Sequence, residues 1–173
     1  LEFLVMSGME LPLAVMITIP EPWANNDTIS QDKRDFYQYY ATMMEPWDGP
    51  ASILFSDGDV MGAVLDRNGL RPSRYYITSD GYMILSSEVG VMPIPEEKIV
   101  LKERLHPGKM LLVDTVAGKV VDDDELKEKY AAMQPYGEWL NSNLVQLKDI
   151  KIPNVRMEEY TPEQRARLQK AFG

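Results

Sequence analysis

A short loop rich in charge and glycine is the part of this sequence whose residue types could do chemistry. Residues 66–72 read Asp-Arg-Asn-Gly-Leu-Arg-Pro, and a carboxylate follows two serines further downstream. Guanidinium groups bind carboxylates through paired hydrogen bonds, and a carboxylate beside hydroxyl groups could act in general acid–base chemistry. These residue types predict support for a polar pocket. The candidate residues are Asp66, Arg67, Asn68, Gly69, Arg71 and Glu88.

Each candidate also has a purely structural interpretation. Arg67 and Arg71 could be held in salt bridges, for which Asp66 and Glu88 are natural partners. Gly69 could supply a backbone angle that other residues avoid. Glu88 has no identifiable second carboxylate beside it, so neutralising a buried arginine is the simpler role for this side chain. Support of a binding pocket and a salt-bridged loop both remain open on the sequence.

The rest of the sequence has few of the side chains that other kinds of catalysis need. The chain has no cysteine and a single histidine, His106. It therefore has no thiolate nucleophile, disulfide or cysteine-ligated metal, and too few parts for a histidine-based zinc site or triad. His106 precedes a proline and is predicted to lie in a turn. The three aspartates at 122–124 lack the ligand spacing of an EF-hand and predict a helix cap.

Length and charge limit the class of protein and its partners. The 173 residues, 45% of them hydrophobic, are enough for one domain with a core. A formal net charge of -9 argues against nucleic acid or an anionic membrane as a partner. No apolar run approaches the roughly 20 residues that span a bilayer. The absence of cysteine favours the cytoplasm, so a cytoplasmic protein without metal or cofactor of its own is expected.

Short runs of β-branched and aromatic residues joined by Asp-Gly turns predict the strands that carry the loop. The first four runs predict a four-stranded meander whose middle connection is loop 66–72. Two later runs predict a hairpin that packs on this sheet or extends it. The predicted strands are residues 51–55, 60–65, 75–78, 82–85, 98–105, 110–113 and 119–121.

Helical patterns lie on both sides of the predicted strands. Either Thr28 or Ser30 is expected to cap the helix that ends near Met44. Apolar residues at helical spacing begin at Leu1 without a capping residue, so the chain is expected to be an excised fragment that starts inside a helix. Residues 148–160 are expected to form a linker. The other predicted helices are residues 11–19, 122–134, 136–147 and one that begins at Thr161.

Loop 66–72 resembles the D-R-x-G-x-R-P loop of glutamine amidotransferases that use an N-terminal cysteine as nucleophile. Four further stretches match the same family in the same order. Together they narrow the resemblance to the large subunit of glutamate synthase, in the second half of its amidotransferase domain. The resemblance covers residues 1 to about 147. The four further stretches are residues 19–23, 44–51, 86–88 and 105–109.

This resemblance implies an α+β fold of the N-terminal nucleophile type, with antiparallel β-sheets between helical layers. It implies a partial amidotransferase domain at 1–147 and, at 148–173, a linker and the first helix toward the family's central domain. The complete family enzyme hydrolyses glutamine to glutamate and ammonia, which then aminates 2-oxoglutarate. The FMN and iron-sulfur cluster of that reaction belong to other domains, and the remaining domains of the large subunit are the implied partners.

The sequence departs from the family pattern at the point that matters most for chemistry. The nucleophilic cysteine is absent, and the family's substrate-clamping and oxyanion residues lie N-terminal to the matched segment. Without them the main sources of rate enhancement for acyl transfer are missing, so no catalytic residue is assigned. The chain is expected to be inactive alone and to self-associate through apolar faces left uncovered.

Two other functions are weighed against this one. The first is a stand-alone scaffold or binding module with an amidotransferase-like fold and no catalysis. The second is an amidotransferase acting on a phosphosugar, which shares the D-R-x-G-x-R-P loop. It does not account for the Glu-Pro-Trp sequences that begin at Glu21 and Glu45.

Overall fold

Two antiparallel sheets and a set of helices make up the structure. The computed structural model describes residues 1–151 and 160–172. The strands are β1 (Ser52–Ser56), β2 (Val60–Leu65), β3 (Arg74–Thr78), β4 (Met83–Ser86), β5 (Ile99–Arg104), β6 (Met110–Asp114) and β7 (Lys119–Val121). The helices are α1 (Glu2–Met6), α2 (Leu11–Thr18), α3 (Gln31–Ala41), α4 (Asp123–Ala131), α5 (Tyr136–Asn143) and α6 (Pro162–Phe172).

The first sheet has the strand order β1-β2-β6-β7 and the second the order β4-β3-β5. The predicted single meander is therefore wrong, because β1 and β2 lie in one sheet and β3 and β4 in the other. Ala63, Val64 and Leu65 are all buried, so β2 needs cover on both of its faces. Residues 66–73 carry the chain across to the sheet that covers one face. Of the two arrangements predicted for the second hairpin, packing on a sheet or extending it, the structure has the extension, through β6 and β7.

Alternate residues of β2 and β6 pack into two separate apolar clusters. Val64 and its cross-strand partner Met110 join the cluster formed with the helices. Ala63 and its partner Leu111 join the other cluster, against which Tyr75 of β3 packs. Because successive side chains of a strand point to opposite faces, the first sheet lies between a helical layer and the second sheet.

The helical layer is organised around α2. Residues 12–18 of this helix are all buried, and a helix that is apolar on all sides belongs in the interior. Phe36 of α3 is fully buried and meets the ring of Tyr136 of α5 edge-on, with 5.4 Å between the ring centroids. Helices α3 and α5 are thereby fixed to each other beside α2, and they present their apolar sides to the first sheet.

Several predicted helix ends are confirmed and others are shorter than predicted. Ser30, not Thr28, caps α3, and the side chain of Asp122 caps α4 by accepting two main-chain N–H groups. Helix α3 ends at Ala41 rather than near Met44, with Thr42 as its C-cap. The proline at position 46 disfavours helical angles at Glu45, so the helix does not continue past this segment. Helix α5 ends at Asn143 rather than at residue 147.

The chain divides into two compact units, Leu1–Ser142 and Asn143–Gly173. In the second unit, Thr161 and Gln164 exchange the two hydrogen bonds of a capping box at the start of α6, as predicted. Most of the predicted linker at 148–160 lies outside the described residues. A domain boundary at 147/148 stays a prediction.

Candidate functional site

The carboxylate of Asp66 holds loop 66–72 together from the inside. Asp66 is 5% exposed. Its two oxygens accept hydrogen bonds, each 3.1 Å long, from the main-chain N–H groups of Ala51, Asn68 and Leu70. Its own carbonyl accepts the N–H of Gly69 at 2.9 Å. One side chain thus closes the loop on itself and fastens it to the residue before β1.

These contacts also set the charge of the Asp66 side chain. Burial by itself raises the pKa of this carboxyl, because a low dielectric disfavours the charged form. The main-chain N–H groups of Ala51, Asn68 and Leu70 act in the opposite direction and outweigh it, so the net pKa lies below its ordinary value. Asp66 is therefore an anion at neutral pH and an acceptor, unsuited to be a general base.

Gly69 is required by both its backbone angle and its surroundings. Its φ of +61° lies in the left-handed region, and a Cβ at this position would come within 2.6 Å of the Cγ atom of Pro107. Beside this contact, the N–H of Leu105 donates to the carbonyl of Ser73 at 2.8 Å. The two connections between the sheets, after β2 and after β5, therefore run side by side.

Arg67 points away from the interior of the loop. Its guanidinium lies 3.1 Å from the carboxylate of Asp48, and both side chains are more than half exposed. The predicted salt bridge with Asp66 or Glu88 is wrong, because the main chain already occupies the Asp66 carboxylate. Arg67 is also not buried. The ion pair instead links loop 66–72 to the segment that precedes β1.

Both Glu-Pro-Trp sequences line one open groove of about 700 Å³, with Arg67 also on its wall. Trp23 stacks on Tyr37 of α3, with 6.4 Å between the ring centroids. Trp47 is 57% exposed and is fixed by its main chain, whose N–H donates to the carbonyl of Thr18 at 2.7 Å. The ring of Trp23 is thus packed in the wall of the groove, whereas the side chain of Trp47 is largely exposed. The sequence identified both motifs but not that they meet.

Arg71 and Glu88 meet at a neighbouring depression of about 560 Å³, which Trp47 also lines. No ion pair between Arg71 and Glu88 occurs among the described residues, so that predicted partnership is wrong as well. The hydroxyl of Ser86 donates to the main-chain carbonyl of Glu88 at 2.6 Å and shapes the turn. The structure therefore does not gather the candidates into one pocket. Arg71 and Glu88 line this depression, whereas Asn68 and Gly69 line a third depression to which Arg71 also contributes.

A buried charged network behind the groove is the feature that sequence reasoning missed. Lys127 of α4 is 3% exposed. Its Nζ lies 3.0 Å from Oδ2 of Asp123 and 3.4 Å from Oε1 of Glu21, and it donates to the carbonyl of Gly108. Burial and the neighbouring Glu21 carboxylate raise the pKa of Tyr37, whose hydroxyl donates to Glu21 at 2.9 Å.

Sequence offers only a weak signal for this network. Asp123 and Lys127 are four residues apart and so lie on one helix face, but such pairs are usually exposed. What distinguishes this pair is the Glu21 carboxylate on a remote segment. The network fixes the first Glu-Pro-Trp sequence to α4 and so sets one wall of the groove.

The described residues contain no group of three or more histidine, aspartate or glutamate side chains that could hold a metal ion. Within the same residues, no helix has both the length and the apolar content needed to cross a membrane. The carboxylate of Asp66 is engaged with the main chain, and the guanidinium of Arg67 is paired with Asp48. What the arrangement can do is shape and stiffen a groove.

Comparison with known proteins identifies the class to which this fold and loop belong. The profile of the family "Glutamine amidotransferases class-II" matches residues 1–139. The chain belongs to this family. The predicted α+β fold of the N-terminal nucleophile type, with antiparallel sheets flanked by helices, is thereby confirmed.

The relatives narrow this class to one kind of enzyme. The glutamate synthase [NADPH] large chain of Bacillus subtilis is 49% identical over 172 residues, which are 99% of this chain and 11% of that protein. The glutamate synthase [NADH] of Schizosaccharomyces pombe is 52% identical over 151 residues, 87% of this chain and 7% of that protein. The ferredoxin-dependent glutamate synthase 1 of Arabidopsis thaliana is 45% identical over 175 residues, again 99% and 11%. The chain spans about a tenth of the length of these relatives, and the predicted resemblance to glutamate synthase is confirmed.

Proposed function

We propose that this chain is a structural part of the glutamine-hydrolysing domain of a glutamate synthase. In this role it supports release of ammonia from glutamine, and other domains use the ammonia to aminate 2-oxoglutarate. FMN and an iron-sulfur cluster serve those other domains, and the remaining polypeptide of the large subunit is the partner. A cytoplasmic location belongs to the same proposal.

The proposal rests on the match of nearly the whole chain to three kinds of glutamate synthase. Their names give three different electron donors, NADPH, NADH and ferredoxin. A segment shared by all three kinds serves a step that is independent of the electron donor. Glutamine hydrolysis is such a step, and the family that matches residues 1–139 is defined by it. The structure supports a scaffolding role, because Asp66 is committed to holding a loop and the described residues hold no nucleophilic cysteine.

The contribution of this chain to hydrolysis is positional. Loop 66–72 is stiffened by Asp66 and by the contact between Gly69 and Pro107, and the groove beside it is fixed by Lys127. Residues that lie on a rigid scaffold hold a reacting group within the narrow range of geometry that acyl transfer needs. We propose Asp66, Arg67, Asn68, Gly69, Arg71 and Glu88 as this support.

A chimaera tests the proposal directly. The 172 residues of the Bacillus subtilis large chain that match this chain are replaced by it, and glutamine-dependent formation of glutamate is measured. We expect activity within about tenfold of the unaltered enzyme, a change of ~1.4 kcal/mol in the barrier. The isolated chain is expected to release no ammonia from glutamine above the background without protein.

The control is a chimaera in which the same segment carries Asp66→Asn. It should retain the fold of the other domains and lose much of the glutamine-dependent activity. If the chimaera without this substitution folds but lacks the activity, the proposal is contradicted. Ammonia release by the isolated chain would contradict its scaffolding role, and a stand-alone binding module becomes the better explanation if the folded chimaera fails.

A further inference from the structure

Three exposed arginines line one depression, and their side chains have no partner there. Arg71, Arg74 and Arg104 line a depression of about 380 Å³ beside loop 66–72. None of the three side chains forms a hydrogen bond or an ion pair with any of the residues that the structure describes, although the main chains of Arg74 and Arg104 take part in the pairing of β3 with β5. By contrast, Arg67 is paired with Asp48 and Arg34 with Asp27.

Two of these arginines are held opposite each other by the strand register. Arg74 of β3 is the cross-strand partner of Arg104 of β5. Directly opposed residues of an antiparallel pair have Cβ atoms about 5 Å apart, and like charges at that spacing destabilise the pair. The only acid next to them in β5, Glu103, is engaged by the hydroxyl of Tyr75, which donates to it at 3.0 Å.

The local charge is opposite to that of the whole chain. The formal net charge is -9, with 27 acidic and 18 basic residues, yet the described residues lining this depression include no aspartate or glutamate. Acids are abundant elsewhere on the surface, so the lack of a carboxylate at this position leaves the repulsion between the arginines uncompensated. A bound anion would remove it.

We propose that this depression binds a small oxyanion, a phosphate or carboxylate group, between Arg74 and Arg104 with Arg71 at its edge. The planar guanidinium fork presents paired donors to either group. The neighbouring main chain is rigid, because the N–H of Leu105 donates to the carbonyl of Ser73 and Gly69 packs on Pro107. The main chain beneath the three exposed arginines is therefore fixed, and a bound anion has only their side chains to order.

This site goes beyond the proposed function and does not depend on it. Its ligand is recognised by its anionic oxygens alone, and no step of glutamine hydrolysis enters the argument. The test therefore uses the chain by itself and no glutamine, so its outcome is separate from that of the chimaera.

The experiment compares sodium phosphate, sodium succinate and sodium chloride at matched ionic strength, by thermal unfolding and by calorimetric titration of the chain. Chloride screens the repulsion between arginines, whereas phosphate and succinate can also bridge them. We expect phosphate, succinate or both to raise the unfolding temperature above the value in chloride. Response to phosphate alone identifies a phosphate ligand, response to succinate alone a carboxylate, and response to both the shared chemistry.

Arg104→Gln provides the decisive variant. In chloride it should be at least as stable as the unaltered chain, because the opposed charge is gone, and its dissociation constant for the anion should rise about tenfold to a hundredfold. Arg74→Gln is expected to behave in the same way. If one of the two variants does not fold, the other still tests the site. Arg167→Gln, at an exposed arginine of α6, is the matched control and should respond as the unaltered chain does.

Two results would overturn the inference. The first is stabilisation by phosphate and succinate no greater than by chloride at the same ionic strength. The second is an unchanged anion response in Arg104→Gln and Arg74→Gln.

Discussion

Asp66 shows how one side chain can determine the conformation of a functional loop. Two of its three main-chain donors, Asn68 and Leu70, belong to the loop itself, and the third is the residue before β1. A carboxylate has four acceptor positions and no donor, so it satisfies all of them at once. An arginine partner would compete for the same oxygens, which explains why Arg67 pairs with Asp48.

We predict that Asp66→Asn lowers the free energy of unfolding by about 1–3 kcal/mol at neutral pH, because an amide offers one acceptor oxygen and turns a donor toward main-chain N–H groups. The pKa of Asp66 is lower in the folded chain than in the unfolded one. Its contribution is therefore complete above the unfolded pKa of about 3.9 and is lost as pH falls through the folded pKa.

Denaturant unfolding at pH 7 and at steps below pH 4 checks this prediction. The difference between Asp66→Asn and the unaltered chain should shrink as the pH falls. Asp57→Asn, an exposed aspartate in the β1–β2 turn that also accepts main-chain N–H groups, serves as the control for loss of a turn carboxylate. A difference that is constant with pH would contradict the assigned role of the charge.

Predictions for single residues were correct where only one structural role suits the residue type. Gly69 was expected to supply an unusual backbone angle and does so. The salt-bridge partners were wrong because the sequence records which charges are present but not which acceptors the main chain has already taken. The opposed arginines of β3 and β5 could not be foreseen without the strand register.

At the scale of elements, α4 is joined to the groove by charge rather than by apolar packing alone. Lys127 reaches across to Glu21, and both side chains are largely shielded from water. A buried ion pair is costly to break, because removal of one partner leaves the other charge in a low dielectric. The network therefore makes the position of the Pro20–Trp23 segment depend on α4.

We predict that Lys127→Met destabilises the chain by about 3–5 kcal/mol, since Glu21 and Asp123 lose their closest shared cation. Lys129→Met in the same helix is the matched control. Lys129 is exposed, and its pair with Glu10 at 3.3 Å should contribute only about 0–1 kcal/mol. Equal effects of the two substitutions in urea unfolding would show that the network adds nothing beyond an ordinary surface pair.

Helices and strands could be predicted from the sequence where nearby residues, such as turn and capping residues, determine where they begin and end. Asp-Gly turns placed the first two hairpins, and capping side chains placed the starts of α4 and α6. The division of strands between two sheets was not predictable, because a hairpin signal fixes which neighbours pair and not which layer they join. The run of three apolar residues at the end of β2, Ala63-Val64-Leu65, was the indication in the sequence that both faces of this strand are covered.

At the scale of the whole molecule, one part of the surface is unusually apolar. The second sheet and the loops around it expose large apolar side chains that nothing among the described residues covers. Large exposed apolar patches mark sites of association. The exposed side chains are Tyr82, Val89, Val91, Met92, Val100 and Leu101.

We predict that the isolated chain self-associates through this surface. Sedimentation velocity at rising concentration should show species larger than the monomer, and Val100→Lys should shift them back to monomer by placing charge in the buried contact. Val116→Lys, at an exposed valine in the β6–β7 turn, is the control and should have no such effect. A monomer at every concentration would exclude the association.

The two connections between the sheets, which run side by side, affect how well this fold tolerates insertions and deletions. Residues 74–104 leave the first sheet and return to it through a neck closed by the Ser73–Leu105 hydrogen bond and the contact of Gly69 with Pro107. The three-stranded unit is thus a nested insertion in the β2–β6 hairpin. Lengthening or shortening it changes the closure entropy only with the logarithm of its length. Insertions and deletions can therefore accumulate in this unit while the pairing of β2 with β6 keeps its register.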